Sequence, residues 1–238
     1  MQSKNVLTIK NSDNKVSMMN NTLAAIDIGS NTVQLLIAKT VNSQIISRDN
    51  YIKTTRLGAG PKANLLSPEA ISRTATVINE FAALAQQAGA THMRIVATSA
   101  VRDASNKDDF LAAIAQVTSQ PVEILSGQEE ALMSYRGAVS LLSFAPGTPV
   151  LDVGGSSTEL IYGFSDNDIN CTSVNIGSVR MKQNNWSEAE MRQILANGFI
   201  RQGNSQLAVG IGGTITATTG VLAGLKSYDR TAIEGAII

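Results

Sequence analysis

The sequence predicts an α/β fold in two similar halves, each built around a mixed sheet flanked by helices. An apolar strand, a glycine turn and a second apolar strand occupy residues 23–40, and the same order returns over residues 150–164. Between these segments, strand-like stretches alternate with helix-like stretches, which is typical of α/β proteins. The 238 residues are enough for one large domain or two small ones.

The first half is expected to open with a hairpin and a third strand. In "LAAIDIGSNTVQLLIAKT", residues 23–40, two apolar runs flank a tight polar turn. The stretch "QIISRDNYIKTTRLG" continues as a further strand. A helix is then predicted over residues 67–89, because Ser67 suits the N-cap, Pro68 the first helical position and Gly89 the C-terminal stop.

Shorter elements are expected before the repeat begins. "HMRIVATSAV" predicts a buried strand that ends in the polar turn "TSAVRDASN", and a short helix is expected over 107–117. "PVEIL" predicts another strand. A helix then starts in "LSGQEEA", where Ser126 and Glu129 have the spacing of a capping box. Glu130 lies one position further, rotated about 100° around the helix, and the cap does not use it.

The repeat is aligned on two aspartates. When Asp27 is placed on Asp152, Thr32 falls on Ser157 and Gln34 on Glu159. A third glycine turn follows in "LAVGIGGTITATTGVLAG", residues 207–224, with a helix of small residues expected after it. We therefore expect residues 23–130 to form a first domain and residues 131–238 a second one.

The three turns have the composition of anion sites. Glycines without a Cβ let backbone N–H groups converge on an anion, and they are Gly29, Gly154, Gly155, Gly212 and Gly213. Hydroxyl and amide donors follow them, namely Ser30, Asn31, Thr32, Ser156, Ser157, Thr158 and Thr214. Asp27 and Asp152 precede the glycines by two positions and can hold Mg²⁺. Taken one at a time, each turn is also explained as a hairpin turn with glycine for its geometry.

Composition excludes several classes of function. The formal net charge is zero, which argues against a general nucleic-acid footprint. With Cys171 as the one cysteine and His92 as the one histidine, neither a cysteine cage nor a histidine-rich metal site is available. No apolar run approaches the roughly 20 residues of a membrane span. Residues 1–22 are expected to be a disordered leader, Met18 or Met19 is an alternative start, and a cytoplasmic location fits best.

Six motifs in order carry a family resemblance. They are "DIGSNT", "TSAVRDASN", "ILSGQEEA", "DVGGSSTEL", "NIGSVRM" and "GIGGT". In this order the chain resembles the exopolyphosphatase / guanosine pentaphosphate phosphohydrolase family, over about residues 23–238. The resemblance implies two ribonuclease-H-like domains of the actin-like ATPase superfamily, with the active site in the cleft between them. It also implies Mg²⁺-dependent removal of a terminal phosphate from polyphosphate or guanosine pentaphosphate by attack of water.

The resemblance assigns roles to particular residues. Glu130 matches the general base, and Arg102 of "SAVRD" matches an arginine that clamps phosphate. Asp152, Gly154 and Glu159 match the second phosphate turn and its metal-linked acids. A homodimer is a further expectation. Arg102 is otherwise explained by a pair with Asp103.

A few positions depart from the family pattern or stay open. Ser156 stands where the family often has a third glycine, and Ala59 where it often has an acid. Arg180 of "GSVRM" and Arg56 are each either a salt bridge between domains or a site residue. The chain ends at Ile238, and family members usually continue for some tens of residues, so a truncated second domain is expected.

Two other functions remain open at this stage. One is a related superfamily ATPase or sugar kinase, although "GIGGT" lacks an obvious adenine platform and no sugar-specific acid motif is visible. The other is a non-catalytic remnant that binds polyphosphate or a nucleotide.

Overall fold

Two mixed sheets form the frame of the molecule in a computed structural model that describes residues 20–42, 44–60, 64–165, 168–199 and 205–238. The first sheet contains β1 (Asn20–Ile28), β2 (Thr32–Val41), β3 (Gln44–Thr54), β4 (His92–Ala97) and β5 (Val122–Ile124), in the order β3-β2-β1-β4-β5. The second contains β6 (Pro149–Val153), β7 (Thr158–Ser165), β8 (Asp168–Val174) and β9 (Val209–Ile211), in the order β8-β7-β6-β9.

Both sheets are mixed in the same way. Strands β1, β2 and β3 are antiparallel neighbours, and so are β6, β7 and β8, whereas β4 runs parallel to β1 and β9 parallel to β6. The predicted repeat is confirmed at the level of single residues. Asp27 pairs with Gln34 in the first sheet, and Asp152 pairs with Glu159 in the second.

The helices connect and cover these sheets. They are α1 (Pro68–Gln87), α2 (Ser99–Arg102), α3 (Lys107–Ala115), α4 (Gly127–Leu141), α5 (Ser178–Asn184), α6 (Glu188–Gly198), α7 (Gly212–Leu222) and α8 (Arg230–Ile233). The predicted start and stop of α1 are confirmed. The Ser67 hydroxyl accepts from the Ala70 N–H, and Gly89 has a φ of +77°, which glycine adopts without steric cost.

The structure differs from the sequence expectations in three places. Strand β1 begins at Asn20 rather than at residue 23. The expected turn "TSAV" forms α2 instead, because the Thr98 carbonyl accepts from the N–H groups of Val101 and Arg102. Helix α4 runs through the expected domain boundary at 130/131 and packs against the second sheet. Residues 1–19 of the expected leader lie outside the described residues.

The core is distributed unevenly between the sheets. Among the described residues, 21 buried residues form the core under the first sheet and five form the core under the second. Phe81 of α1 and Phe110 of α3 fill the first core, while Tyr135 of α4 contributes the largest side chain to the second. Side chains alternate along a strand, so the opposite face of the first sheet is left to line a cleft. None of the described helices is long and apolar enough to cross a membrane.

Candidate active site

A cleft of about 1080 Å³ lies between the two sheets, and all three glycine turns open into it. Of the 17 residues predicted for the site, 14 line this cleft. They are Asp27, Gly29, Ser30, Asn31, Thr32, Glu130, Asp152, Gly154, Gly155, Ser157, Glu159, Gly212, Gly213 and Thr214. The structure therefore brings together residues that are up to 187 positions apart in the sequence, from Asp27 to Thr214.

The first two turns have the same internal geometry. The N–H of Gly29 donates to the Thr32 carbonyl over 3.0 Å, and the N–H of Gly154 donates to the Ser157 carbonyl over the same distance. Each turn closes a two-stranded hairpin at the end of a strand that carries an aspartate. The remaining N–H groups of such turns can converge on an anion.

The two turns also touch one another across the cleft. The hydroxyls of Ser30 and Ser156 are 2.7 Å apart in a buried hydrogen bond. A Cβ at Gly155 would lie 3.0 Å from the Cβ of Ser30, so a larger residue would push the turns apart. Ser156, which stands where the family often has glycine, therefore has a structural partner in the opposite half.

The third turn approaches Asp152 closely. Gly212 has a φ of +88°, and a Cβ at this position would lie 2.6 Å from Asp152 Oδ1. Both the backbone conformation and the space require glycine here. Asp152 is held from its other side by the Ser134 hydroxyl, which donates to Oδ2 over 2.7 Å.

Five of the described carboxylates line the cleft, and burial raises the pKa of four of them. The pKa of Asp27 is raised to about 6, first by burial and then by repulsion from Glu130 and Asp152. The pKa of Glu159 is raised to about 7 by burial, against hydrogen bonds from Ser173 and Ser157. Burial also raises the pKa values of Asp152 and Glu130. Such a cluster is stabilised by protons or by a cation.

The donor set fits a hard divalent cation. Carboxylate oxygens are the protein ligands that Mg²⁺ prefers, and the ion usually keeps several waters and takes substrate phosphates as further ligands. Within the described part of the chain, no three acid, histidine or cysteine side chains are grouped tightly enough to hold a metal by themselves. The residues present therefore fit an ion that one or two of Asp27, Asp152 and Glu159 contact, with water and phosphate completing its shell.

The two neighbouring glutamates at the start of α4 have different environments. Glu129 forms the predicted capping box, because its carboxylate accepts from the Ser126 N–H while the Ser126 hydroxyl accepts from its N–H. Glu130 faces the cleft and accepts from Arg102 Nη1 over 2.8 Å. This bond opposes the effect of burial on the pKa of Glu130.

Three predicted site residues do not line the cleft. Arg102 lies behind Glu130 and also donates to the Leu125 carbonyl over 2.9 Å. Ser156 is bonded to Ser30, as described above. Thr158 donates its hydroxyl to the Ile176 carbonyl over 2.6 Å, on the face of β7 opposite to Glu159.

Comparison with known proteins decides the family. A family model described as the Ppx/GppA phosphatase family matches residues 36–201. The chain belongs to this family. The Ppx/GppA resemblance of the six motifs and the α/β fold of two mixed sheets are both confirmed.

Relatives and solved structures agree with the Ppx/GppA assignment. A protein of Vibrio vulnificus (strain YJ016) named guanosine-5'-triphosphate,3'-diphosphate pyrophosphatase is 35% identical over 177 residues, which are 74% of this chain and 35% of the relative. The chain thus spans about a third of the length of the curated relatives it matches.

Two solved structures show the shared fold. An exopolyphosphatase-like protein is 31% identical with a TM-score of 0.80, over 90% of this chain and 73% of the other. The Aquifex aeolicus PPX-GPPA enzyme is 26% identical with a TM-score of 0.71, over 90% of this chain and 75% of the other.

Some residues of the Ppx/GppA cleft were missed by the sequence reasoning. Ser134, which holds Asp152, lies four positions after Glu130, so the spacing of a helix face could have indicated it. Ser99 lines the cleft, and its hydroxyl is 3.4 Å from that of Ser30. It occupies the register of Thr214, since Val96 pairs with Asp27 as Ile211 pairs with Asp152.

Proposed function

We propose that this protein is a Mg²⁺-dependent phosphoanhydride hydrolase that releases terminal phosphate from inorganic polyphosphate or guanosine pentaphosphate. The observation that carries the proposal is the position of Glu130. Its carboxylate lies at the cleft into which both matching glycine turns open, and it is held there by Arg102. A base, two anion-binding turns and a cluster of acids in one cleft are the parts that phosphoryl transfer to water requires.

The N–H groups and hydroxyls of the turns bind and orient the phosphate oxygens. Residues of the first turn, Ser30 to Thr32, face those of the second, Gly154 to Ser157, so a terminal phosphate can be held from two sides. Glu130 accepts a proton from a water molecule beside the phosphorus. The water oxygen bonds to phosphorus as the bridging P–O bond breaks, and the leaving oxygen keeps the electron pair.

The raised pKa of Glu130 suits the role of a base, since a base titrating nearer to neutral pH accepts a proton more effectively. One or two of Asp27, Asp152 and Glu159 would contact Mg²⁺, which when bound would neutralise charge on the phosphate oxygens. Without a cation, four clustered carboxylates would repel a polyanion. A bound cation would therefore reduce the repulsion among the carboxylates and also the repulsion between the carboxylates and the polyanion.

Support for the substrate comes from two kinds of relative. The curated relatives are named guanosine-5'-triphosphate,3'-diphosphate pyrophosphatases, and a solved structure 31% identical to this chain is named an exopolyphosphatase-like protein. Both substrates end in a phosphoanhydride, and the glycine turns and Glu130 act on that shared end. Both are therefore proposed.

The experiment is a phosphate-release assay with Mg²⁺ on both substrates, for the wild type and for Glu130→Gln. Glutamine keeps the shape of the side chain but cannot accept the proton, so kcat should fall about a thousandfold. Glu129→Gln is the matched control. Glu129 caps α4, and glutamine at this position keeps the capping box, so turnover should stay comparable to wild type. Equal turnover in wild type and Glu130→Gln would show that Glu130 is not the base. Tight polyphosphate binding without any phosphate release would instead favour a protein that binds polyphosphate and does not hydrolyse it.

A further inference from the structure

A row of charged contacts leads from Glu130 to the second glycine turn. Arg102, which holds Glu130, also places its Nε 3.7 Å from Oδ1 of Asp103. The other oxygen of Asp103, Oδ2, lies 3.7 Å from Nη2 of Arg180. Arg180 in turn donates from Nε to the Ser156 carbonyl over 2.8 Å. Every link in this row is a hydrogen bond or an ion pair.

The row crosses from one half of the molecule to the other. Asp103 follows α2 in the first half, while Arg180 belongs to α5 in the second. The side chains of Arg102 and Arg180 are 27% and 20% exposed and that of Asp103 is 43% exposed, whereas those of the surface pair Arg192–Glu188 are 77% and 74% exposed. Partial burial strengthens an ion pair relative to one in bulk water.

We propose that Asp103 and Arg180 are positioning residues, whose ion pair between the halves holds the second glycine turn in place relative to Glu130. Their catalytic consequence rests on the proposed function. The pair has no direct contact with the cleft, so it acts through Arg102 on one side and through Ser156 on the other.

Charge balance explains why both members are needed. Arg102 faces two carboxylates, those of Glu130 and Asp103. Arg180 neutralises Asp103 from its far side, which leaves the charge of Arg102 available to Glu130. Without Arg180, Asp103 would draw Arg102 away from Glu130. Without Asp103, two arginines would face each other with no anion between them.

Loss of Asp103 and loss of Arg180 have opposite effects on the stability of the ionised Glu130 carboxylate. Removing the negative charge of Asp103 stabilises the Glu130 carboxylate, and removing the positive charge of Arg180 destabilises it. The other charged groups that face Glu130 are Asp27 from β1, Asp152 from β6 and Arg102 from α2, and Glu159 of β7 also interacts with it. These groups are the same in every variant, so they do not change the direction in which the pKa of Glu130 differs between the variants.

The first test follows the Glu130 carboxyl by ¹³C NMR titration of the Mg²⁺-free protein, with the signal assigned by Glu130→Gln. Asp103→Asn should move the titration midpoint to lower pH, and Arg180→Gln should move it to higher pH. The double variant should return it toward the wild type, and Arg180→Lys should leave it nearly unchanged. A general loosening of the fold would move both single variants in the same direction.

The second test measures turnover with Mg²⁺ and each proposed substrate. Misplacing the turn by a fraction of an ångström should lower kcat about tenfold in both single variants, with KM within about twofold of wild type. Glu188→Gln and Arg192→Gln are controls with the same charge changes in an exposed pair, and neither should alter kcat or the midpoint. Thermal melts verify that each variant is folded.

The two tests separate the two proposals. If the wild type releases no phosphate but the midpoints move in opposite directions, the hydrolase function fails and the positioning role stands. If the wild type is active and the midpoints stay fixed or move together, the positioning role is overturned.

Discussion

The two halves share an arrangement of strands and turns, but they differ in the size of the core and in the side chains that face the cleft. In both, an aspartate on the first strand lies two residues before a glycine, and the turn closes with the same 3.0 Å bond. The first half buries 21 of the described residues in its core, and the second buries five. The second half, however, carries Glu159 where the first carries Gln34. Strand register thus determines the geometry of the turn, while the side chains in that register determine its chemistry.

The largest difference between the two halves is expected at one pair of equivalent positions, Ala38 of β2 and Gly163 of β7. A Cβ at Gly163 would lie 2.0 Å from Cζ of Tyr135, whose hydroxyl donates to the Gly163 carbonyl over 3.0 Å. Gly163→Ala should therefore displace a buried ring and lower the free energy of unfolding by about 3 kcal/mol. Urea denaturation measures this loss.

The matched change in the first half is Ala38→Gly. It removes a methyl group from a strand interior and should cost only about 1 kcal/mol. Equal losses for the two substitutions would mean that the small core of the second half tolerates repacking as well as the large one does.

A second prediction concerns the extra acid of the second half. Glu159 has its pKa raised from an ordinary 4.5 to about 7, so between these values the folded protein binds more protons than the unfolded chain. Stability of the Mg²⁺-free protein should therefore fall as pH rises from about 4.5 to 7, with Asp27 contributing through its pKa of about 6.

Glu159→Gln tests this explanation because glutamine does not ionise. At pH 7.5 the variant should be more stable than the Mg²⁺-free wild type by about 2 kcal/mol, and its melting temperature should depend less on pH. Gln34→Glu, which gives the first half the same acid, should be less stable than wild type at pH 7.5. A Gln34→Glu protein with unchanged pH dependence would contradict the role of the carboxylate cluster.

The smallest effect is expected at the two capping boxes. Ser126 caps α4 and Ser187 caps α6, each with a glutamate at the third helical position. Replacement of either serine by alanine should lower the free energy of unfolding by about 1 kcal/mol. Only Ser126→Ala should also lower the rate of phosphate release, because α4 carries Glu130. Equal turnover in both variants would show that the start of α4 does not have to be fixed for Glu130 to act.

Local sequence signals predicted much of this molecule. The glycine turns and the capping box of Ser126 depend on neighbours within a few residues, and the repeat on Asp27 and Asp152 is such a local pattern occurring twice. Strand alternation also explains Thr158. Because its neighbour Glu159 faces the cleft, Thr158 must face the other way, and its hydroxyl meets the Ile176 carbonyl.

What the sequence could not predict depends on contacts through space. The bond between Ser30 and Ser156 joins residues 126 positions apart, and Ser134 holds Asp152 from a different element. Whether Arg180 was a salt bridge between the halves or a site residue could not be decided without knowing that Asp103 lies opposite. Such pairings follow from how the halves pack, and no short sequence pattern encodes that packing.

The first two glycine turns have the same geometry and face one another. On their own, they would bind a phosphate in either of two equivalent orientations. Glu130 and Glu159 remove that equivalence, since neither Gln34 nor any residue of the first turn supplies a matching carboxylate. In an in-line displacement the departing oxygen lies opposite the incoming water. Under the proposed chemistry, a single base therefore gives the cleft a polarity. The terminal phosphate would then lie beside Glu130, with the rest of the substrate extending from the opposite side of the phosphorus.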